Sequence, residues 1–217
     1  MYGNRVDAGR RLARELQCYA GRGDVTILAL PRGGVPVGFE VAQALGAPLD
    51  VMVVRKLGVP GQEELALGAI ASGGVTLLEW DRAEYLRVPP SAVEAVIERE
   101  QRELARREKR FRGDRPPPVL EGRTVILVDD GLATGATMTA AARAVRQLNP
   151  ARVVIAVPVG AAETCEALAR EADEVVCPLK PMMLYAVGNW YDDFEQTTDG
   201  EVMELLGRNL ESSARAN

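Results

Sequence analysis

The chain has 217 residues, of which 47% are hydrophobic and 26% charged, a composition typical of one globular domain. Its 26 basic and 31 acidic residues give a formal net charge of −5, which disfavours a chain-wide nucleic-acid-binding surface. The sequence contains no histidine, which excludes imidazole-based catalytic triads and histidine-ligated metals, and no apolar run approaches the roughly 20 residues that span a bilayer.

The amino terminus and the cysteines indicate a protein of a reducing compartment. Residues 1–17 are polar and do not resemble a secretion signal. Cys18, Cys165 and Cys177 are odd in number and widely spaced, and they fit no zinc-binding pattern. We therefore expect reduced thiols and a cytoplasmic location.

The first part of the chain alternates helices with apolar strands. The pattern predicts a helix over 6–20, a strand over 25–30, a helix over 35–45 and a strand over 49–58. Both strands are continuous apolar runs, which is typical of a parallel sheet covered on both faces. A glycine-rich turn, PRGG at 31–34, follows the first strand.

The segment 59–122 is less regular, and we interpret it as an insertion. Residues 69–79 predict a hairpin that turns at Gly73-Gly74. Ser91, with Glu94 three residues later, has the spacing of a capping box and predicts the start of a long charged helix over 92–110.

Regular alternation returns after the insertion. The predicted elements are strands over 124–129, 151–159 and 173–179, with helices over 137–148 and 162–172. Alternation of this kind predicts an α/β fold, a parallel sheet with helices on both faces. We expect a single domain over 1–217, with a small C-terminal segment over 176–217 that ends in an amphipathic stretch.

The loops that follow the strands are the candidate site. In parallel α/β sheets, ligands bind beyond the carboxyl ends of the strands. The loops after Leu30, Val54, Val128 and Val157 should therefore lie along one edge of the sheet.

The most informative of these loops lies within VILVDDGLATGATM at 125–138. An apolar strand ends at Asp129 and Asp130, and a loop of small residues then opens into a helix. The backbone amides of this loop can converge on one phosphate at the helix N-terminus, and they belong to Ala133, Thr134, Gly135, Ala136 and Thr137.

The acid pair has a different role from the amides, because carboxylates would repel a phosphate. Asp129 and Asp130 suit sugar hydroxyls, or a magnesium ion between sugar and phosphate. The loop is neither a Walker loop nor a dinucleotide fingerprint, because GxxxxGK[ST] and GxGxxG are both absent. The segment therefore predicts a binder of a ribose 5-phosphate.

This segment resembles the phosphoribosyl pyrophosphate signature of the type I phosphoribosyltransferases. The resemblance implies that Asp129 and Asp130 hold the ribose 2′ and 3′ hydroxyls, with Mg²⁺, and that residues 133–137 hold the 5-phosphate. It also implies the family's fold, with an inserted lid and a C-terminal hood. The function implied is transfer of the 5-phosphoribosyl group from phosphoribosyl pyrophosphate to a nitrogenous base, with release of pyrophosphate.

The resemblance assigns further roles to basic residues. The turn after the first strand, with Arg32, Gly33 and Gly34, would bind the leaving pyrophosphate, helped by Arg55 and Lys56 at the end of the second strand. The family also has a mobile basic loop that closes over the pyrophosphate. Candidates for that lid are Lys109, Arg110 and Arg112.

The acceptor is the least determined part of the interpretation. Trp190 and Tyr191 are candidates for stacking on a base in the hood. Related enzymes acting on 6-oxopurines carry an aspartate where this chain has Ala133, whereas adenine-type enzymes match LATGAT better. A purine-type base is therefore favoured, with Glu63 or Glu64 as candidates for the acid/base group.

Two other classes of protein remain open from the residues. One is a non-catalytic regulator or accessory protein that binds phosphoribosyl pyrophosphate or a nucleotide on the same fold. The other is a flavodoxin-like protein, which shares the sheet but does not explain the TGAT loop. In either enzyme or regulator, the expected partners are small molecules, without nucleic acid or membrane, and the chain is expected to form a homodimer.

Overall fold

The structure is a computed structural model that describes residues 1–215, with side-chain surroundings described to residue 212. The helices are α1 (Arg5–Glu15), α2 (Gly34–Leu45), α3 (Trp80–Tyr85), α4 (Pro90–Arg112), α5 (Ala136–Arg146), α6 (Ala162–Leu168) and α7 (Asp199–Arg215). The strands are β1 (Val25–Ala29), β2 (Leu49–Val51), β3 (Val54–Val59), β4 (Gln62–Ala71), β5 (Val75–Leu78), β6 (Thr124–Val128), β7 (Arg152–Ala156) and β8 (Glu174–Val176).

Five strands form a parallel sheet in the order β2-β1-β6-β7-β8. Alternate residues of the strands point to opposite faces, as the pleat requires. Ile27 and Ile126 pack with α1, α2 and α7, whereas Leu28 and Leu127 pack with α5 and α6. The predicted α/β fold, a parallel sheet with helices on both faces, is confirmed.

A second, antiparallel sheet lies in the inserted region, in the order β3-β4-β5. The predicted hairpin at Gly73-Gly74 is confirmed, since β4 and β5 pair across these residues and both glycines have positive φ, 87° and 77°. A further hairpin joins β3 to β4. The boundaries assigned to the insertion and the expected homodimer stay predictions.

The predicted strand over 49–58 is wrong, because it is two strands in different sheets. The amide of Met52 still donates to Ala29 O at 2.9 Å, so Met52 remains hydrogen-bonded to the parallel sheet. The amide of Val53 instead donates to Ser72 Oγ at 3.0 Å, and Ser72 N donates to Val53 O at 2.9 Å. The chain therefore leaves one sheet at Val51 and enters the other at Val54.

The predicted capping box at Ser91 and Glu94 is also wrong. Helix α4 begins at Pro90 after Pro89, and no side chain caps it. Proline suits the first turn, because the amide that it lacks would have no partner there. Ser91 therefore lies inside the first turn and not at the cap.

None of the helices within residues 1–215 combines the length and the apolar character that crossing a bilayer requires.

Candidate active site

Asp129 and Asp130 follow β6 at the carboxyl edge of the parallel sheet, beside the turn that follows β1. A Cβ atom at Gly33 would overlap the Asp130 carboxylate, and one at Gly34 would lie 2.7 Å from Val128 O. The Pro31–Arg32 peptide bond in this turn is cis. The two glycines thus allow the turn to pack directly against the acid pair.

Both carboxyl groups are partly buried, and this environment opposes their ionisation. Burial raises the pKa of Asp129 well above its usual range, and the charge of Asp130 raises it further. Burial also raises the pKa of Asp130, although the Arg5 guanidinium opposes that rise. The protein solvates the charge of these two carboxylates poorly. Hydroxyl groups or a cation bound beside them would stabilise the ionised form.

Arg5 is a site residue that sequence reasoning missed. Its Nε lies 2.8 Å from Asp130 Oδ2, and its Nη1 donates to Glu195 O at 2.6 Å. The guanidinium also lies 3.8 Å from the centre of the Phe194 ring. No local pattern in the sequence indicates this contact, because Arg5 and Asp130 are 125 residues apart.

The loop predicted to bind a phosphate opens directly into α5. Gly135 has φ 71°, a left-handed conformation suited to glycine, and Thr139 N donates to Gly135 O at 2.8 Å. Amides before that first helical bond have no partner within the helix, as at every helix N-terminus. The side chains of Ala133, Thr134, Ala136 and Thr137 are exposed to solvent, so an anion can reach the loop.

Helix α6 supports this loop from behind, a contact that the sequence did not indicate. The Thr164 hydroxyl donates to Ala133 O at 2.7 Å, and a Cβ at Gly135 would lie 2.6 Å from Thr164 Cγ2. Leu132 forms a parallel bridge with Gly160, at the point where the chain leaves β7. The loop is therefore fixed by the next strand and helix of the sheet.

The predicted pyrophosphate residues occupy three different surroundings. Arg32 is exposed in the turn beside the acid pair, 3.5 Å from Asp199. Arg55 donates from Nε and Nη2 to Glu100 of α4, at 2.8 and 2.6 Å. Lys56 is exposed and lines a separate cavity.

That cavity has a volume of about 690 Å³ and lies between the second sheet and α5. Lys56, Glu63, Glu64 and Arg143 supply charged groups to its wall, and Thr137 of the phosphate loop also lines it. The structure therefore brings both predicted acid/base candidates to a cavity that adjoins the loop.

The three lid candidates are separated by the structure. Arg112 is buried and pairs with Asp50 at 2.9 Å, so its assignment to a mobile lid is wrong.

The other two candidates are exposed to solvent. Lys109 is 79% exposed and lies 3.9 Å from Asp114. Arg110 reaches Asp199, with 2.6 Å between its Nε and Oδ2, and so lies beside Arg32.

The two aromatic candidates pack at the edge of the site. Tyr191 is buried and its hydroxyl donates to Asp130 O at 2.5 Å, so it supports the acid pair and is not free to stack on a base. Trp190 is partly buried, and its carbonyl accepts from Tyr2 N at 2.9 Å. The stacking role assigned to Tyr191 is therefore wrong, while that of Trp190 stays a prediction.

The donor set at this edge fits a cation held jointly with substrate. Within the part of the chain that the structure describes, no three acidic or cysteine side chains cluster as a metal cage. Magnesium in proteins is commonly bound through one or two carboxylates together with substrate phosphates and waters. Asp129 and Asp130 supply the two carboxylates that this arrangement needs.

Comparison with known proteins identifies the family. The model of the phosphoribosyl transferase domain matches residues 2–182. A protein of Mycobacterium tuberculosis, provisionally named as a phosphoribosyl transferase, is 48% identical over 208 residues, which cover 96% of this chain and 47% of that protein. The chain thus spans about half the length of the curated relatives that it matches most strongly.

Two other comparisons extend this result. The crystal structure of TT1426 from Thermus thermophilus has a TM-score of 0.83 at 44% identity, covering 94% of this chain and 97% of that one. The bifunctional protein PyrR of Chloroflexus aurantiacus is 34% identical over 129 residues, 58% of this chain and 65% of that protein. The resemblance first noted at residues 125–138 is confirmed, and the chain belongs to the phosphoribosyl transferase domain family.

Proposed function

We propose that the chain transfers the 5-phosphoribosyl group of phosphoribosyl pyrophosphate to a nitrogenous base of purine type and releases pyrophosphate. The observation that carries this proposal is the packing of the PRGG turn against Asp129 and Asp130, beside an open phosphate loop. A sugar bearing phosphoryl groups at both ends needs these three parts at one edge of the sheet.

Each part has a distinct task in this proposal. Amides of residues 133–137 hold the 5-phosphate at the N-terminus of α5. Asp129 and Asp130 accept hydrogen bonds from the ribose hydroxyls, and Arg5 and Tyr191 keep Asp130 in place from the other side. The sugar is thereby oriented, which is the main contribution that positioning makes to such a displacement.

The leaving group is held by the turn after β1. The Arg32 guanidinium and the amides of Gly33 and Gly34 stabilise the charge that develops on pyrophosphate as its bond to the sugar breaks. Magnesium, when bound through Asp129, Asp130 and the substrate, supplies further neutralisation of the phosphate charge.

The acceptor base gives up a proton when it bonds to the sugar. We assign this proton to Glu63 or Glu64, because both line the cavity that adjoins Thr137. Ala133 offers no acid/base group within the loop, which supports an adenine-type acceptor over a 6-oxopurine.

Release of pyrophosphate from phosphoribosyl pyrophosphate and Mg²⁺, measured across a panel of purine and pyrimidine bases, tests the proposal. We expect turnover with adenine or a related purine, and none in the double variant Asp129→Asn with Asp130→Asn. Tight binding of phosphoribosyl pyrophosphate without turnover on any base would contradict it.

A second candidate function is a non-catalytic regulator that binds phosphoribosyl pyrophosphate or a nucleotide. The presence of Ala133 in this loop favours it, because alanine has no acid/base group at that position. Binding without turnover is the result that this candidate predicts.

A further inference from the structure

Asp199, the first residue of α7, forms ion pairs with two arginines from distant parts of the chain. Arg32 Nη1 lies 3.5 Å from its Oδ1, and Arg110 Nε lies 2.6 Å from its Oδ2. Arg106 is also close enough to Asp199 for the carboxylate to raise the Arg106 pKa, together with the stronger effect of Glu103. One carboxylate therefore faces two guanidinium groups, and these three side chains together keep a net positive charge, whereas Arg106 is paired with Glu103.

This cluster lies at the same edge of the sheet as the acid pair. Arg32 is bonded to Gly33, whose Cα lies against Asp130, and α2 begins one residue later. Arg110 comes from the last turn of α4, and Asp199 from the first turn of α7. Three elements thus converge beside the turn proposed to hold pyrophosphate.

The three side chains are accessible to a ligand. Arg32, Asp199 and Arg110 are 39%, 29% and 48% exposed. Ion pairs with this exposure contribute little to stability. The contacts can therefore exchange for a stronger anion at small cost to the fold.

Pyrophosphate is such an anion, because it carries more charge and more acceptor oxygens than one carboxylate. Guanidinium groups bind phosphate oxygens with two parallel hydrogen bonds, which adds to the affinity. Two guanidinium groups already held on opposite oxygens of one carboxylate are positioned to bind an anion that bridges them.

We propose that Asp199 is an internal counter-anion that holds Arg32 and Arg110 ready, and that the leaving pyrophosphate displaces it. Arg110 is then a pyrophosphate-binding residue of the long helix, and Asp199 limits how tightly the product is retained. This inference rests on the proposed function, because it takes the PRGG turn as the pyrophosphate site.

Calorimetric titration with inorganic pyrophosphate tests it on the full chain. Removing the competing carboxylate in Asp199→Asn is expected to tighten pyrophosphate binding roughly two- to fivefold, the range that an exposed ion pair allows. Arg110→Gln is expected to weaken it by about fivefold or more, because a charge-assisted hydrogen bond is lost. The double variant should bind more tightly than Arg110→Gln alone, because Arg32 is also freed, but less tightly than Asp199→Asn.

A matched control separates this effect from a change in total charge. Glu204→Gln removes a carboxylate from the same helix, where it pairs only loosely with Arg208, at 3.9 Å. It should leave pyrophosphate affinity unchanged. Affinity of all variants for ribose 5-phosphate should equal that of the wild type, since the phosphate loop is separate from this cluster.

Unchanged or weaker pyrophosphate binding in a folded Asp199→Asn protein would overturn the inference. If that variant does not fold, as judged by circular dichroism, Arg110→Gln decides, and unchanged affinity there overturns it. If the wild type turns over a base but Asp199→Asn does not bind pyrophosphate more tightly, the proposed function stands and this inference is wrong. If the wild type turns over no base but Asp199→Asn binds pyrophosphate more tightly, only the proposed function is contradicted.

Discussion

Two adjacent carboxyl groups at the end of β6 are held where ionisation is unfavourable. Burial raises the pKa of both, and the charge of Asp130 raises that of Asp129 further. Acidic residues with shifted pKa values are common at functional sites, because a bound ligand can stabilise the charge that the protein alone does not. The ionised pair should therefore lower the stability of the ligand-free protein, and substrate binding should restore it.

Asp129→Asn is expected to stabilise the empty protein at neutral pH. The raised pKa means that the ionised aspartate costs folding free energy above its unfolded pKa, whose reference value is 3.8. The amide keeps an oxygen that can accept from Asp130 N, a hydrogen bond of 2.9 Å in the wild type. Thermal unfolding should show a higher Tm for the variant at pH 7, and the gain should shrink as the pH falls towards 4.

Asp114→Asn is the matched control, because Asp114 is 98% exposed. Its Tm should follow that of the wild type at both pH values. A lower Tm for Asp129→Asn at pH 7 would show that the ionised carboxylate stabilises the empty fold.

Gly33→Ala is expected to weaken binding of phosphoribosyl pyrophosphate by displacing the turn from the acid pair. The added methyl group would overlap the Asp130 carboxylate, so either the turn or the side chain must move. Gly23→Ala is the control, since a Cβ there would meet nothing within 4 Å. Isothermal titration should show reduced affinity for the first variant only, and equal affinities would contradict the proposed contact.

At the scale of elements, the long helix α4 is anchored by a buried ion pair. Arg112 is 6% exposed and Asp50 10% exposed at their side chains, and their 2.9 Å contact joins the end of α4 to β2. Arg112 also donates to Glu108 at 3.3 Å and to Val51 O at 3.4 Å. At the basic end of this helix, Arg112 therefore stabilises the fold. The sequence pattern alone does not distinguish it from Lys109 and Arg110.

Arg112→Met is expected to lower the free energy of unfolding by roughly 3–5 kcal/mol, because Asp50 is left as an unpaired buried charge. Arg102→Met is the control, since Arg102 is 73% exposed and lies 4.0 Å from Glu98. Urea denaturation followed by circular dichroism measures both. A loss below about 1 kcal/mol in Arg112→Met, as for exposed pairs, would contradict the structural role.

The elements near the site were largely predictable from periodicity, and the exceptions have physical causes. Strands β1, β6 and β7 are apolar runs bounded by turns, so their position follows from composition alone. Residues 49–58 have the same apolar character, yet the chain changes sheets between Val51 and Val54. The hydrogen bonds of Val53 with Ser72 decide that change, and a pattern read along the chain contains no information about such partners.

Across the molecule as a whole, the first residues of the chain pair with the segment 190–192, whose Tyr191 contacts Asp130. Tyr2 N donates to Trp190 O, and Asp192 N donates to Tyr2 O, both at 2.9 Å. The sequence predicted the loop at 133–137 and the acid pair at one edge of the sheet, because a strand–loop–helix motif is local. It could not place Arg5 or Asp199 there, because their contacts depend on how distant segments fold together.

Arg5→Gln is expected to reduce affinity for phosphoribosyl pyrophosphate by roughly tenfold, since a hydrogen bond between charged groups that orients Asp130 is lost. Arg5→Lys should recover part of that loss by restoring the charge. Arg10→Gln removes an arginine of the same helix that is 67% exposed and pairs with Glu40, and it should bind as the wild type does. Equal affinity of Arg5→Gln and Arg10→Gln would remove Arg5 from the site.

We propose that Asp129 and Asp130 hold the sugar of phosphoribosyl pyrophosphate. Calorimetric titration of phosphoribosyl pyrophosphate with Mg²⁺ into the wild type and into the double variant Asp129→Asn with Asp130→Asn tests this assignment. We predict a saturable heat for the wild type and none for the double variant, with both proteins folded. Equal affinity of the two proteins would contradict a role of these carboxylates in binding the sugar.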